Sequence, residues 1–223
     1  KDLGSRLNGS ESKSLRELRS RSFDYFKDQG FPSNQDEEWK YTSLNKIVKR
    51  DFDFSSQVSS EILAEDIEPF LCEGLDSYKL IFINGVFNKS LSILGYNEKF
   101  FVGSLKQGMK EMPDIINAHY GKLADTKQSL VALNTAMANE GAFVYVKKGV
   151  KLDKLVQILF VNTNHEESRM MQTRNLFVVE DLAEAQIFER HQAFNQGHVF
   201  SNSVTESSVG NQAHFKHFKL QND

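Results

Sequence analysis

The chain has 223 residues, of which 39% are hydrophobic and 26% are charged, as in a globular protein with a buried core. Its 27 basic and 30 acidic residues give a net charge of −3, and no basic block is long enough to follow a nucleic-acid backbone, so we expect no nucleic-acid partner. The sequence contains neither a membrane-spanning apolar stretch nor a signal-peptide pattern, and Cys72 is its single cysteine, so we expect no disulfide framework, no membrane partner and a reducing, cytoplasmic location.

The first predicted element is an amphipathic helix in residues 14–30 that ends at Gly30. Its apolar residues recur at helical spacing and predict one buried face: Leu15, Leu18, Tyr25 and Phe26. Arg16, Arg19 and Asp24 fall outside this face. The helix therefore needs a neighbouring layer to cover its apolar side.

A turn at residues 31–32 leads to the segment that holds Trp39, the only tryptophan of the chain. Ser33 or Asn34 is a candidate cap for a short helix, with Asp36 or Glu37 completing a capping box. Trp39 would then cover the preceding helix. We favour this structural role, while a ligand platform and an interface anchor remain alternatives.

Two further local patterns follow. Residues 60–72 predict a second small helix carrying Ile62, Leu63 and Ile67, with Cys72 as a buried, inert thiol. Residues 79–94 form two apolar runs on either side of Asn84-Gly85, which predicts a hairpin because a type I′ turn needs positive φ at both central residues.

A third helix is predicted after Asp125, with Gln128 at its third position and Gly141 at its end. Its apolar residues form one stripe: Leu130, Leu133 and Met137. The chain from residue 114 onward contains no proline, which permits many paired strands.

After residue 141 the apolar pattern has a period of two, and six strands are predicted: 142–146, 156–161, 173–180, 185–191, 200–208 and 213–221. Taken two at a time, their starts recur roughly every 30 residues. This regular spacing without hairpin dipeptides favours a stacked β-helix over a sandwich.

The titratable residues of this half give no self-sufficient site. His214 and His217 are three apart on a predicted strand and point to opposite faces, although His191 or His198 of a neighbouring repeat could lie beside one of them. His119 and His165 are isolated in sequence. We therefore expect no metal site, predict no catalytic residue and leave cofactor-binding residues unassigned.

Four carboxylates form an acidic group: Glu180, Asp181, Glu184 and Glu189. Solvation at loops and strand edges is the favoured interpretation. The alternative is a β-helical carbohydrate-active enzyme, a lyase or hydrolase, because such enzymes use paired carboxylates.

The stretch GFPSNQDEEWKYTSL (30–44) is similar to the Phe-Pro, Glu-x-Trp-Lys/Arg-Tyr-Thr signature of the SufB/SufD family of iron–sulfur cluster assembly proteins. Further segments resemble SufD members of that family in the same order: INGVF (83–87), LNTAMANEGAFVYVKKGV (133–150), VQILFV (156–161), RNLFVVEDLAEAQIFE (174–189) and HFKLQND (217–223). Lys147 stands where the family pattern has proline.

The resemblance implies an α+β protein with three parts. These are a helical N-terminal domain (1–75), a hairpin and helices (76–140), and the first turns of a right-handed parallel β-helix (141–223), apparently truncated. The SufC-docking helices and the cluster-proximal histidine of the family would lie beyond residue 223, so we expect residues 1–223 alone not to bind SufC.

The resemblance also implies a function, that of a non-catalytic scaffold subunit of the SUF system. Such a subunit acts with SufB-like and SufC-like proteins, of which SufC is the ATPase. We expect no cofactor on this chain alone and an iron–sulfur cluster only transiently with partner-supplied ligands. A homodimer is an alternative assembly.

Overall fold

A computed structural model describes residues 12–52, 62–163, 168–194 and 198–222. Within these ranges the protein is α+β, with short helices and two mixed β-sheets of five strands each. The α+β prediction is confirmed, and the division into three domains stays a prediction.

The α-helices of the described ranges are α1 (Lys13–Gln29), α2 (Asn45–Val48), α3 (Ala64–Ile67), α4 (Leu105–Glu111), α5 (Pro113–His119) and α6 (Ser129–Met137). Single 3₁₀ turns form at Glu37–Trp39 and Glu68–Phe70. None of the helices in the described part of the chain is both long and apolar enough to cross a bilayer.

The strands are β1 (Ser77–Ile83), β2 (Val86–Phe87), β3 (Gly95–Tyr96), β4 (Phe100–Ser104), β5 (Ala142–Val146), β6 (Leu155–Asn162), β7 (Arg169–Val179), β8 (Glu184–Ala193), β9 (Val199–Val209) and β10 (His214–Asn222). The first sheet has the order β10-β8-β6-β1-β2 and the second sheet β3-β4-β5-β7-β9. All six strands predicted after residue 141 are therefore present, with ends shifted by a few residues.

From β5 onward the chain alternates between the two sheets, and strands of the same sheet run parallel. Arg169 of β7 pairs with Val199 of β9, and Glu184 of β8 pairs with His214 of β10, so both pairs of strands are offset by 30 residues. The segment 76–140 adds β1, which is parallel to β6, and β4, which is antiparallel to β5.

Helix α1 begins and ends as predicted. The Ser12 side chain accepts a hydrogen bond from the Leu15 amide, and Gly30 follows the last turn with φ 71°. Arg19, which lies outside the predicted apolar face, is nevertheless only 1% exposed, and its guanidinium donates to the Ala136 carbonyl. That carbonyl belongs to the last turn of α6, where a helix leaves acceptors unpaired and favours a cation.

Two other predicted helices are shorter than expected. Helix α6 begins at Ser129, because Asp125 instead accepts from the Lys127 amide and forms a turn before the helix. In the predicted helix 60–72, only α3 and the following 3₁₀ turn are helical, while residues 60–61 lie outside the described ranges. Ile67 is buried there, and Leu63 is 56% exposed.

The hairpin prediction is confirmed. Asn84 and Gly85 have φ values of 51° and 77° between β1 and β2, which pair antiparallel. The Asn84 side chain also exchanges hydrogen bonds with Thr163 after β6. The turn is therefore fixed both by its own backbone and by the neighbouring strand.

Three apolar clusters hold the layers together. The largest fills the space between the sheets and includes Phe82, Phe160 and Phe177; we call it the intersheet core. A second cluster joins α1, α4 and α5 to the outer face of the second sheet, and a third joins Ile67 and Phe70 to the outer face of the first sheet. Each sheet thus buries both faces over part of its length.

Gly141, just before β5, offers a test of this packing. A Cβ at Gly141 (φ 154°) would lie 1.8 Å from the Arg174 carbonyl oxygen, whereas one at Gly149 (φ 70°) would meet nothing within 4 Å. Gly149→Ala should cost about 1–2 kcal/mol from backbone strain alone. Gly141→Ala should cost at least about 2 kcal/mol more because β5 and β7 must separate. Urea unfolding of both variants measures the difference, and equal losses would contradict the close approach.

Candidate functional site between the two sheets

The intersheet core becomes polar towards β8 and β10. Ala185 and Ile187 of β8 belong to the core, and the next residues on the same face are Glu189 and His191. The neighbouring strand β10 places Lys219 beside Glu189 in the register. On β8 and β10, charged side chains therefore occupy positions that apolar side chains occupy on β1 and β6.

Glu189 is the centre of this polar network. Its side chain is fully buried, and its two carboxylate oxygens lie 2.7 Å from His191 Nε2 and 2.9 Å from His217 Nε2. Lys219 Nζ lies 3.3 Å from Glu189 Oε1. Three nitrogen-bearing side chains thus surround one carboxylate that has no access to water.

Aromatic rings hold the two histidines in place. His191 stacks on Phe160 with a centroid distance of 4.7 Å, and Phe160 in turn stacks on Phe82 at the same distance. His217 meets the Phe177 ring edge-on at 5.3 Å. Because Phe177 belongs to the second sheet, His217 connects the two sheets across the core.

The network favours the ionised carboxylate. Burial by itself raises the pKa of Glu189, but hydrogen bonds from His191 and His217 and the charge of Lys219 outweigh it and hold the pKa well below its usual range. A buried carboxylate of this kind stabilises the fold as long as it stays ionised and its partners stay in place.

The predicted histidine geometry is partly confirmed. His214 is exposed and His217 is partly buried, so the two do point to opposite faces, and His191 lies beside His217 through their shared carboxylate. No group of three or more His, Cys, Asp or Glu side chains in the described ranges has an arrangement that could hold a metal ion. His198 is exposed, and His165 lies outside the described residues.

The prediction that the acidic group is solvated is wrong for Glu189, because the parallel register places it inside the core. Of the other three, Asp181 lies 3.7 Å from Lys148 Nζ and Glu184 lies 2.9 Å from Lys151 Nζ. Each of these two carboxylates thus forms an ion pair with a nearby lysine.

Glu180, the fourth carboxylate, accepts hydrogen bonds from the Tyr145 hydroxyl at 2.8 Å and the Lys148 amide at 2.9 Å. Burial, together with this hydrogen bond and the Glu180 charge, raises the pKa of Tyr145 to about 12. Glu180 and His119 both line a shallow surface cleft. Glu180, which directly follows β7, therefore anchors the end of β5 and the turn after it.

A second buried network lies on the outer face of the second sheet, and sequence reasoning missed it. Arg174 of β7 and Glu206 of β9 are 0% and 1% exposed, and both Nε and Nη2 of Arg174 donate to Glu206 Oε1. The guanidinium also donates to Asn134 and Thr135 of α6 and lies 4.7 Å from the Tyr120 ring centroid. We call this set the Arg174–Glu206 clamp.

The clamp docks the helical layer on the second sheet. Glu206 accepts three backbone amide hydrogen bonds from the segment after α5, from Gly121, Leu123 and Ala124. Burial raises the pKa of Glu206, but the Arg174 charge and these amide donors lower it below its usual range. An Arg in an apolar strand was the only sequence signal, and its partners are 32 to 40 residues away.

Cys72 is half-buried, and its backbone amide donates to Gln157 Oε1 at 2.7 Å. The residue is therefore less buried than predicted. The side chain of Gln157, on β6, also donates to Ser77 Oγ at 2.8 Å. This glutamine anchors the loop that carries Cys72 to the first sheet.

Two family models together match almost the whole chain. The model of the SufBD protein N-terminal region matches residues 3–158, and that of the SUF system FeS cluster assembly SufBD core domain matches residues 160–223. A SufBD family protein of Synechocystis is 26% identical over 97% of this chain and 49% of its own length.

Two further relatives also match parts of the chain. The SufD protein of Escherichia coli is 24% identical over 86% of this chain and 42% of its own length. The SufB protein of Bacillus subtilis is 34% identical over 36% of this chain and 17% of its own length. The chain thus spans about half or less of the length of the curated relatives it matches.

Because of the clamp, an isosteric substitution of Glu206 should lower the stability of the protein strongly. Glu206→Gln leaves the Arg174 guanidinium buried without its counter-charge and should lower the free energy of unfolding by about 3 kcal/mol. Glu17→Gln, which removes only an exposed partner of Lys13, should change it little. Chemical denaturation at pH 7 compares the two variants, and a loss below about 1 kcal/mol for Glu206→Gln would contradict the clamp.

The difference in free energy of unfolding between the parent and a Glu189→Gln variant should depend on pH. Because the pKa of Glu189 is lower in the folded than in the unfolded state, its stabilising effect is present above about pH 4.5, the ordinary pKa, and is lost as the pH falls towards the folded value. Glu189→Gln should therefore cost about 2 kcal/mol or more at pH 7, and this difference from the parent should shrink below pH 4.5.

Denaturation of the parent and Glu189→Gln between pH 2 and 8 measures this difference. Glu184→Gln, on the same strand but at an exposed ion pair, is the matched control and should follow the parent closely. A constant difference across the whole range would mean that Glu189 is not ionised in the folded protein.

Proposed function

The chain belongs to the SufB/SufD family of iron–sulfur cluster assembly proteins, and from this premise we propose that it is a non-catalytic scaffold subunit of a SUF-type assembly complex. The observation that carries the proposal is that the two family matches together cover residues 3–158 and 160–223. The iron–sulfur cluster is in this proposal the cargo of the complex and not a resident cofactor of the chain.

The arrangement of the strands supports a scaffold. Strands β5 to β10 alternate between two sheets and pair in parallel at offsets near 30 residues. We infer from this repeat that these strands are turns of a right-handed parallel β-helix. Such a stack is rigid along its axis and offers long surfaces for partner proteins.

The chemistry of the side chains also supports a non-catalytic role. In the described ranges, the buried carboxylates Glu189 and Glu206 use their oxygens for internal partners. Cys72 is the only thiol of the chain, whereas clusters are usually held by several thiolates. Further ligands for a cluster would come from a partner protein.

The partners in this proposal are a SufB-like protein and a SufC-like ATPase, in the cytoplasm, with a homodimer as a further possible assembly. Relatives named SufD and SufB among the matches support this choice. The ATPase activity would reside in the SufC-like partner, and this chain would position that partner relative to the nascent cluster.

Co-purification tests the proposal. The affinity-tagged protein, expressed from its complete gene with the SufB-like and SufC-like proteins of the same organism, should elute with both partners in one size-exclusion peak. Omitting the SufB-like protein and, separately, the SufC-like protein shows which contacts are direct. Elution of the tagged protein free of both partners would refute the proposed role.

The 223-residue segment provides a second comparison in the same assay. We expect residues 1–223 alone not to retain the SufC-like protein, because in this proposal the SufC-docking helices lie outside this segment. Retention of the SufC-like protein by residues 1–223 would mean that the docking region is misplaced.

If the iron–sulfur cluster is cargo of the complex, the isolated chain should not assemble a cluster by itself. After anaerobic incubation with ferrous iron and sulfide, followed by desalting, the isolated chain should show no iron–sulfur absorbance, since one thiol does not complete a ligand set. Cys72→Ser should behave like the parent in iron and sulfide content. A stable cluster on the isolated chain that Cys72→Ser abolishes would contradict partner-supplied ligation.

A further inference from the structure

A cleft of about 340 Å³ lies beside Trp39, at the surface where three segments meet. Its walls are the C-terminal end of α1, the 3₁₀ turn Glu37–Trp39, and residues 127–130, which lead into α6 and form its first turn. Its volume is at the lower end of the range of about 300–1,000 Å³ that is usual for ligand pockets. The cleft is therefore large enough for a side chain of a bound segment.

The walls are tied together by hydrogen bonds across their bases. The Tyr25 hydroxyl donates to the Lys127 carbonyl, and the Ser129 hydroxyl donates to the Gly30 carbonyl. Ser33 and Asp36 bond to each other within the turn that leads to Trp39. The cleft is thus preformed, and binding would require little ordering of the protein.

The charge of the lining is acidic. Asp36, Glu37 and Glu38 contribute three carboxylates, against the single ammonium of Lys127. Asp36 is occupied by Ser33, but Glu37 and Glu38 are exposed and form no ion pair within the described ranges. Two carboxylates therefore remain available to a ligand.

Trp39 adds an aromatic surface to these charges. Residue Trp39 is only half-buried, so part of it stays open to solvent whatever its predicted role in covering the preceding helix. The adjacent Tyr41 is 93% exposed. A tryptophan ring next to carboxylates favours a cation on an aliphatic stem, because the ring face attracts the cation and the stem contacts the ring.

We propose that this cleft binds an arginine or lysine side chain from a basic segment of a partner protein. The charge of the lining, the aromatic wall and the preformed shape all fit such a side chain. A neutral or acidic segment would leave Glu37 and Glu38 unpaired or repelled. This site is independent of the scaffold role, because no other part of that proposal depends on the cleft.

The emission of Trp39 gives a direct assay, because it is the only tryptophan of the chain. The probe is a blocked glycine–arginine pentapeptide with two arginines, and its control is the same peptide with citrulline, which keeps the shape but removes the charge. The arginine peptide should change the Trp39 emission saturably, with an affinity that falls as salt rises. The citrulline peptide should bind at least tenfold more weakly.

The variant Glu37→Gln/Glu38→Gln should weaken the arginine peptide about threefold to tenfold, as expected for two exposed ion pairs. Glu65→Gln/Glu68→Gln removes the same charge from exposed positions outside the cleft and should bind like the parent. Circular dichroism melting curves should be the same for all three proteins, because all four positions are exposed.

Three results would overturn the proposal. They are equal affinity for the arginine and citrulline peptides, equal weakening by both double variants, and binding without any change in Trp39 emission. Trp39→Leu, followed by anisotropy of a fluorescein-labelled arginine peptide, gives an independent measurement. Unchanged affinity in that variant would exclude the aromatic wall from the site.

Discussion

The parallel pairing of strands one repeat apart is the constraint on which the rest of the structure depends. Each central strand from β5 to β8 has its backbone groups bonded to neighbours on both sides, and successive strands alternate between the sheets. A slip of one residue would turn every intersheet side chain towards the outside. The fixed register is what aligns Phe82, Phe160 and His191 into one stack and brings Glu189 between His191 and His217.

The two buried carboxylates show how the same register is used on opposite faces of the fold. Glu189 lies in the intersheet core and connects neighbouring strands with ring nitrogens and an ammonium, whereas Glu206 lies under the helices and connects the second sheet to the segment after α5. Both have lowered pKa values because cations and donors outweigh the effect of burial. Charges that are satisfied internally in this way hold the layers of the fold together.

The surface chemistry differs from that of the interior. Around Trp39 the carboxylates of Glu37 and Glu38 face solvent beside a half-covered aromatic ring, and no internal partner in the described ranges neutralises them. An assembly protein acts through the partners it brings together, so such surfaces are where its specificity would reside. Interior networks would fix the shape of the stack, and exposed clefts would select what binds to it.

The sequence by itself determined the local features. These are the end of α1 at Gly30, the turn at Asn84-Gly85 and the six strands after residue 141, because each depends on residues close together in the chain. The family resemblance, which the comparisons confirm, was also readable from short motifs. Only the tertiary structure decided that Arg19 is buried against α6, that Glu189 lies in the core, and that Arg174 meets Glu206. A charged residue in a helix or strand is equally compatible with solvent and with a buried partner, and in these three cases a partner is supplied by a segment 28 to 117 residues away.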